Sequence, residues 1–232
     1  MPTAVVTGCN SGIGHAFAQL LIKEGYFVYA VDLNAGEKLL ALHSDKCQIG
    51  RLDVTSLESI YEFKLSLGDK KVDLLLNVAG VMPPPQADSL RTVKQETLQS
   101  TFAVNTFGPL LLTQALLDNV LAAPSPRHIA VVSSRVGSIA DNTSGGAYAY
   151  RSSKAAVNSI FKSLAVELKD KDVVVSMLHP GITRTNLGGI VVNSPESVEA
   201  EEAAGKLWKV LQSKKIEDTG KFWHREGQEL PW

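Results

Sequence analysis

The chain has 232 residues, 44% of them hydrophobic, and a formal net charge of −1. That balance supplies a full core and excludes bulk attraction to nucleic acid or anionic membrane. No run of eighteen apolar residues is present to span a bilayer. Cys9 and Cys47 sit in unrelated settings and no histidine has a partner at ligand spacing, so neither a disulfide framework nor a metal site is expected. The N-terminus enters an apolar run at once, without a basic segment and h-region, which makes a reducing cytoplasm the expected compartment.

Ala4-Val5-Val6 reads as a buried strand, followed by a helix whose Phe17, Leu20, Leu21 and Ile22 share one side. A second strand over 27–31 ends in Asp32, and a helix is expected over 36–42. A third strand over 47–52 ends in Asp53, after which Thr55 or Ser56 caps a helix that Gly68 stops. The fourth strand, 72–76, feeds Asn77-Val78-Ala79-Gly80 and a stiff Pro83-Pro84-Pro85 loop. A long helical region runs over 92–121 with an interruption near 105–109. The fifth strand, 128–132, is closed by Ser133-Ser134, and a helix covers 147–168. The sixth strand, 173–178, ends in His179-Pro180-Gly181, a helix follows over 196–211, and a short strand closes the chain at 220–223. Strands alternating with helices predict a parallel sheet covered on both faces, in one domain spanning 1–232. In such a sheet the ligand lies at the carboxyl ends of the strands, where Asp32, Asp53, Asn77, Ser134 and Pro180 collect.

The first strand and helix are joined by Thr7-Gly8-Cys9-Asn10-Ser11-Gly12-Ile13-Gly14. A strand, a glycine-rich turn and a helix N-terminus form a mould for a diphosphate, with backbone N–H groups and the helix dipole facing the anion. The spacing fits neither a Walker loop nor G-x-G-x-x-G. Asp32 lies eighteen residues after Gly14, where a carboxylate accepts hydrogen bonds from the ribose hydroxyls of NAD. Ser11, Leu33 and Asn34 bring no cation for a 2′-phosphate, so NAD is expected over NADP. Tyr150 and Lys154 are four apart and share a helical face. A phenol is a poor base at neutral pH, and a neighbouring ammonium is expected to lower its pKa, fitting Tyr150 to exchange a proton with an alcohol or carbonyl. Tyr148 is a rival, but Ser152 rather than a lysine follows it by four.

The T-G-x-x-x-G-x-G turn together with Tyr150-x-x-x-Lys154 resembles the short-chain dehydrogenase/reductase family, over nearly the whole chain from Thr3 to about Thr185. The resemblance implies a Rossmann-type doubly wound sheet in the order 3-2-1-4-5-6-7. It implies a cofactor cradle from Gly8, Asn10, Ser11, Gly12, Ile13 and Gly14, with Asp32 and Leu33 at the ribose. Asp53-Val54 resembles the adenine contact, and Asn77-Val78-Ala79-Gly80 resembles N-N-A-G with Val78 replacing an Asn. Pro180-Gly181-Ile182-Thr183-Arg184-Thr185 resembles the segment beside the nicotinamide, with Thr185 as its polar contact. The catalytic set it implies is Asn105, Ser134, Tyr150 and Lys154. In that set Ser134 holds the substrate oxygen, Lys154 also donates to the nicotinamide ribose, and Asn105 opens its helix and holds a water leading to the lysine. Ser134 precedes Tyr150 by sixteen residues, about three more than usual in the family, so Ser138 stands second. The extra loop, 141–146, is expected over the substrate pocket, and 187–193 as a lid. The short chain and its Gly227-Gln228-Glu229-Leu230-Pro231-Trp232 ending resemble the branch of C-factor and sniffer-type carbonyl reductases, some of which use NADP.

The reading implied is an NAD(H)-dependent oxidoreductase interconverting a secondary alcohol and a ketone or aldehyde. A small, uncharged, partly apolar substrate is expected, and no nucleic-acid or membrane partner. The resemblance also implies a homodimer or homotetramer. A silent nucleotide sensor on the same scaffold is the alternative from another class, and epimerase or dehydratase chemistry the alternative among enzymes.

Overall fold

The computed structural model describes residues 1–189 and 194–232. Seven strands form one sheet: β1 (Thr3–Thr7), β2 (Phe27–Asp32), β3 (Cys47–Arg51), β4 (Leu74–Asn77), β5 (Arg127–Val132), β6 (Val173–His179) and β7 (Lys221–His224). Their order is β3-β2-β1-β4-β5-β6-β7, and every pairing is parallel. The order reverses between β1 and β4, and at that reversal a crevice opens beyond the carboxyl ends of the strands.

Helices α1 (Gly12–Lys23), α2 (Glu37–Leu40), α3 (Leu57–Leu67), α4 (Gln95–Phe102), α5 (Gly108–Leu121), α6 (Tyr148–Leu168) and α7 (Ala200–Ser213) cover the sheet. Alternate strand residues point to opposite faces, which gives two cores. Ala4, Val6, Val28 and Ala30 pack with Phe17 and Leu21 of α1 and Leu207 of α7. Val5, Tyr29 and Val31 pack with Phe63 of α3, Leu116 of α5 and Phe161 of α6. Ser56 is the residue that caps α3, accepting from Ser59 N at 3.2 Å, and Gly68 ends the helix at φ +59°.

Three expectations differ in detail. The 36–42 helix is the single turn α2, and α7 starts at Ala200 rather than 196. The 105–109 interruption is not a break: Ala103–Phe107 widens into a π-turn and α5 continues through Pro109. Pro109 has no N–H for the carbonyl of Asn105 four residues back, and a widened turn accommodates that missing bond. The expected lid over 187–193 falls partly on 190–193, outside the described residues.

Candidate active site

The glycine turn is shaped by close approach. Gly8 adopts φ +74°, and a Cβ on it would lie 3.0 Å from the backbone of Ala79. A Cβ on Gly14 would lie 2.2 Å from the Gly8 carbonyl oxygen, so the first turn of α1 can rest on the loop only as glycine. Thr7 Oγ1 accepts from the N–H groups of Val78 and Ala79, each at 3.0 Å, tying the end of β1 to the end of β4. Cys9 is buried and its Sγ donates to the Val6 carbonyl at 3.0 Å; burial pushes the thiol pKa up, so it is a filler and not a nucleophile.

Asp32 is fixed at the end of β2. Its Oδ2 accepts from Asn10 N at 2.9 Å and its Oδ1 from Asn34 N at 3.3 Å. The β2–β3 register sets Arg51 opposite Asp32, and Arg51 Nε donates to the Leu33 carbonyl at 3.1 Å. A cation therefore stands on this rim. Sequence reading missed it because Arg51 is a neighbour across the sheet and not along the chain.

A cavity of about 520 Å³ runs from this rim to the end of β6. Gly8, Ser11, Gly12, Ile13 and Gly14 line its floor, with Asp32, Leu33, Asp53 and Val54 at one end. Ala79, Gly80, Ser134, Tyr150 and Lys154 face its middle, and Pro180, Gly181, Thr183 and Thr185 its far end. Val81, Met82, Leu187 and Gly188 also border it. The glycine floor and the paired carboxylates at the β2 and β3 ends fit a dinucleotide laid across the switch point.

Tyr150 and Lys154 are both buried, with 8% and 4% of their surface exposed. Ser134 lines the cavity with the Tyr150 phenol, near enough to draw the phenol pKa down. Ser138 is turned into the protein, its Oγ accepting from Asp141 N at 3.1 Å. Tyr148 is 40% exposed. Lys154 Nζ donates to the Val132 carbonyl at 2.9 Å and stands 5.8 Å from the Tyr150 ring centroid. The expectation that Lys154 lowers the Tyr150 pKa is corrected here. Burial pushes the phenol up to about 12, with Ser134 opposing it, and burial pulls Lys154 down to about 8. Desolvation disfavours each charged form, so it moves an acid and a base in opposite directions.

Four expected residues lie off the cavity wall. Asn10 gives its N–H to Asp32, and its side chain lies beside Gly36. Asn77 is buried, donating to the Ala130 carbonyl at 3.3 Å and to Thr113 Oγ1 at 3.5 Å. Ile182 is 37% exposed, and its carbonyl accepts from Arg225. Asn105 is fully buried in the π-turn. Its Oδ1 accepts from Val81 N and its Nδ2 donates to Val81 O, both at 2.8 Å, and to Ser153 Oγ at 3.0 Å. It joins the β4 loop to α6 one residue before Lys154. The extra loop is also displaced from its expected place. Residues 141–146 do not line the cavity; Arg151 folds them back, donating to Gly146 O, Gly145 O, Ser144 Oγ and Val136 O at 2.8–3.3 Å.

Three residues were not singled out from the sequence. His179 borders the cavity beside Pro180; burial first and then His224, 5.3 Å away between rings, lower its pKa to about 3, so its imidazole is neutral. Arg225 is 8% exposed and donates to Pro180 O at 2.8 Å, Ile182 O at 3.0 Å and Glu196 O at 3.1 Å, clasping the loop after β6 from the end of β7. Asp88 is 3% exposed and accepts from the first turn of α6. His179 follows a strand pattern visible in sequence; the other two act across 29 to 62 residues and carry no local signal. Among the described residues no group of three His, Cys, Asp or Glu is placed to hold a metal, and no helix is long and apolar enough to cross a membrane.

A glycine-floored crevice at the switch point of a parallel sheet, with a buried Tyr–Lys pair above it, defines a dinucleotide-dependent dehydrogenase or reductase scaffold. The family described as short chain dehydrogenase matches residues 2–194, and the chain belongs to it. Among curated relatives, 1-hydroxy-2-glutathionyl-2-methyl-3-butene dehydrogenase of a Rhodococcus strain is 34% identical over 100% of both chains. C-signal of Myxococcus xanthus is 39% identical over 69% of this chain and 93% of its own. Among solved structures, an NADPH-bound carbonyl reductase from chicken fatty liver superposes with a TM-score of 0.91 at 29% identity, covering 100% of this chain and 99% of that one. The carbonyl reductase Sniffer of D. melanogaster superposes at 0.89 and 26% identity over 100% of both. The chain is thus a sniffer- and C-factor-like member of the oxidoreductase family, with the sheet order that the resemblance implied.

Proposed function

We propose that the chain interconverts a secondary alcohol and a ketone or aldehyde, using NAD(H), with Tyr150 as general acid/base. The observation that carries this reading is the placement of Ser134, Tyr150 and Lys154 together on the wall of one cavity above the glycine floor. A bound nicotinamide dinucleotide supplies the hydride donor or acceptor. Ser134 and Tyr150 hold the substrate oxygen between two hydroxyls. Tyr150 gives a proton to a carbonyl being reduced, or takes one from an alcohol being oxidised. Lys154, held by Val132 O, faces the cavity with the remaining ammonium protons and anchors the ribose side. Asn105 keeps the Val81 backbone and the second turn of α6 in register with each other.

NAD is favoured by Asp32, whose carboxylate meets a 2′-phosphate with like charge. The NADPH-bound neighbour and Arg51 on the rim make NADP the competing cofactor. The substrate end of the cavity is bordered by Val81, Met82 and Leu187, which fits a small, partly apolar molecule. The name of the Rhodococcus relative, a dehydrogenase of a hydroxy-bearing glutathionyl compound, supports an alcohol with a larger polar substituent as one class to screen. Association into dimers or tetramers is assigned to α5 and α6. Leu112 and Val157 enter the core, whereas Leu110, Leu111, Ala155 and Ala156 stay half-buried on those helices. A cytoplasmic setting remains part of the proposal.

Tyr150→Phe tests the reading. Turnover followed by reduced-cofactor absorbance should fall at least about a hundredfold, with cofactor affinity unchanged. Turnover at the parent rate would refute the acid/base role.

A further inference from the structure

The helix that carries Tyr150 and Lys154 begins without a cap of its own. Three successive left-handed residues lead into it: Gly145 at φ +62°, Gly146 at +67° and Ala147 at +49°. Ala147 occupies the cap position and has no side-chain oxygen to offer. A non-glycine residue in that region persists only where its surroundings over-determine it. The first-turn N–H groups of a helix need partners, and a carboxylate there is also favoured by the helix dipole.

Asp88 supplies both from elsewhere in the chain. Its Oδ1 accepts from Ala149 N at 2.7 Å and its Oδ2 from Tyr150 N at 3.1 Å. It lies just after the short Pro85–Ala87 turn, in the segment whose Val81 and Met82 border the cavity. One oxygen therefore bonds the backbone of the very residue that lines the cavity with Ser134.

We propose that Asp88 is a positioning residue for Tyr150: it caps α6 in place of a local residue and locks the phenol to the substrate loop. The proposal rests on the acid/base reading of Tyr150. A misplacement of about 1 Å in reacting geometry costs about a hundredfold in rate, so loss of the cap is read in turnover and not in cofactor affinity, which the glycine floor and Asp32 supply.

Asp88→Ala and Asp88→Asn are to be compared with the parent, with kcat expressed per NADH-binding site measured by fluorescence titration. Asp88→Ala should lower kcat by about tenfold to a hundredfold and leave the NADH dissociation constant within twofold. Asp88→Asn, which retains one acceptor oxygen in place of two, should restore part of the loss. If Asp88→Ala does not fold, Asp88→Asn alone decides, and its kcat should fall at least about threefold. Parent-level kcat in the folded variants would overturn the proposal, as would equal losses in kcat and NADH affinity, the signature of general disruption. Tyr150→Phe is run alongside. If it is inactive while Asp88→Ala is not, only the positioning role fails; if it turns over normally, the acid/base reading fails and takes this proposal with it.

Discussion

Tyr150 and Lys154 differ from the pair that their spacing implies. Four residues apart they share a face, but spacing carries no information about how deeply that face is buried, and here burial decides. The folded chain holds Lys154 protonated only below about pH 8, against an ordinary value of 10.5. Between those values the unfolded chain binds more protons, so this residue makes stability rise with pH there; below pH 8 its buried charge opposes folding in full. Lys154→Met should therefore raise the melting temperature at pH 7 and lose most of that gain at pH 10, as thermal melts at the two values would read. An equal shift at both would assign the effect to packing. At the other end of the cavity, Asp32 is predicted to set cofactor choice. Like charges brought together cost several kcal/mol, so Asp32→Ser should shift the NADH/NADPH ratio of kcat/KM toward NADPH by at least about tenfold. An unchanged ratio in steady-state assays would move the determinant elsewhere, with Arg51, opposite Asp32 in the β2–β3 register, the first residue to test.

Elements position these residues through contacts that cross long stretches of chain. The glycine turn, the Tyr–Lys pair and the strand-end carboxylates were legible because each is a local pattern: a few residues at fixed spacing on one turn or one helix face. Asn105 was legible as an irregularity, and the π-turn is its cause. What its side chain grips was not legible, since Val81 and Ser153 are brought to it by the fold. The extra loop was misplaced for a similar reason. Its composition was clear, but Arg151, three of whose hydrogen bonds hold the loop away from the cavity, reads in sequence as one more exposed helix residue. The Arg225 clasp is the least visible device and among the most consequential. Removing a buried guanidinium that serves three carbonyls leaves them unpaired, and hydrogen bonds to charged groups are worth about 1.5–3 kcal/mol each. Arg225→Ala should lower unfolding stability by about 2–4 kcal/mol in urea titrations and raise the KM for the cofactor. A variant with parent stability would show that the clasp is dispensable.

At the level of the molecule, the strand order does most of the positioning. A parallel sheet points every strand's carboxyl end the same way, and the reversal between β1 and β4 parts the connections that would otherwise close over them. This much was readable from seven apolar runs separated by helical periodicity, and the order β3-β2-β1-β4-β5-β6-β7 follows the family resemblance. The two cores explain why the strand residues are apolar on both sides, a pattern that parallel sheets require. Less readable was the depth of the cavity wall, because depth depends on how α6, the π-turn and the loop after β4 meet.

The clasp from β7 also fixes an order of events during synthesis. The ribosome releases the phosphate cradle more than two hundred residues before Arg225. A nascent chain can gather β1, the glycine turn and α1 while the pyridine-side loop still hangs unfastened. The crevice is thus finished from one end, and a polypeptide stalled before β7 would leave the loop after β6 unclasped.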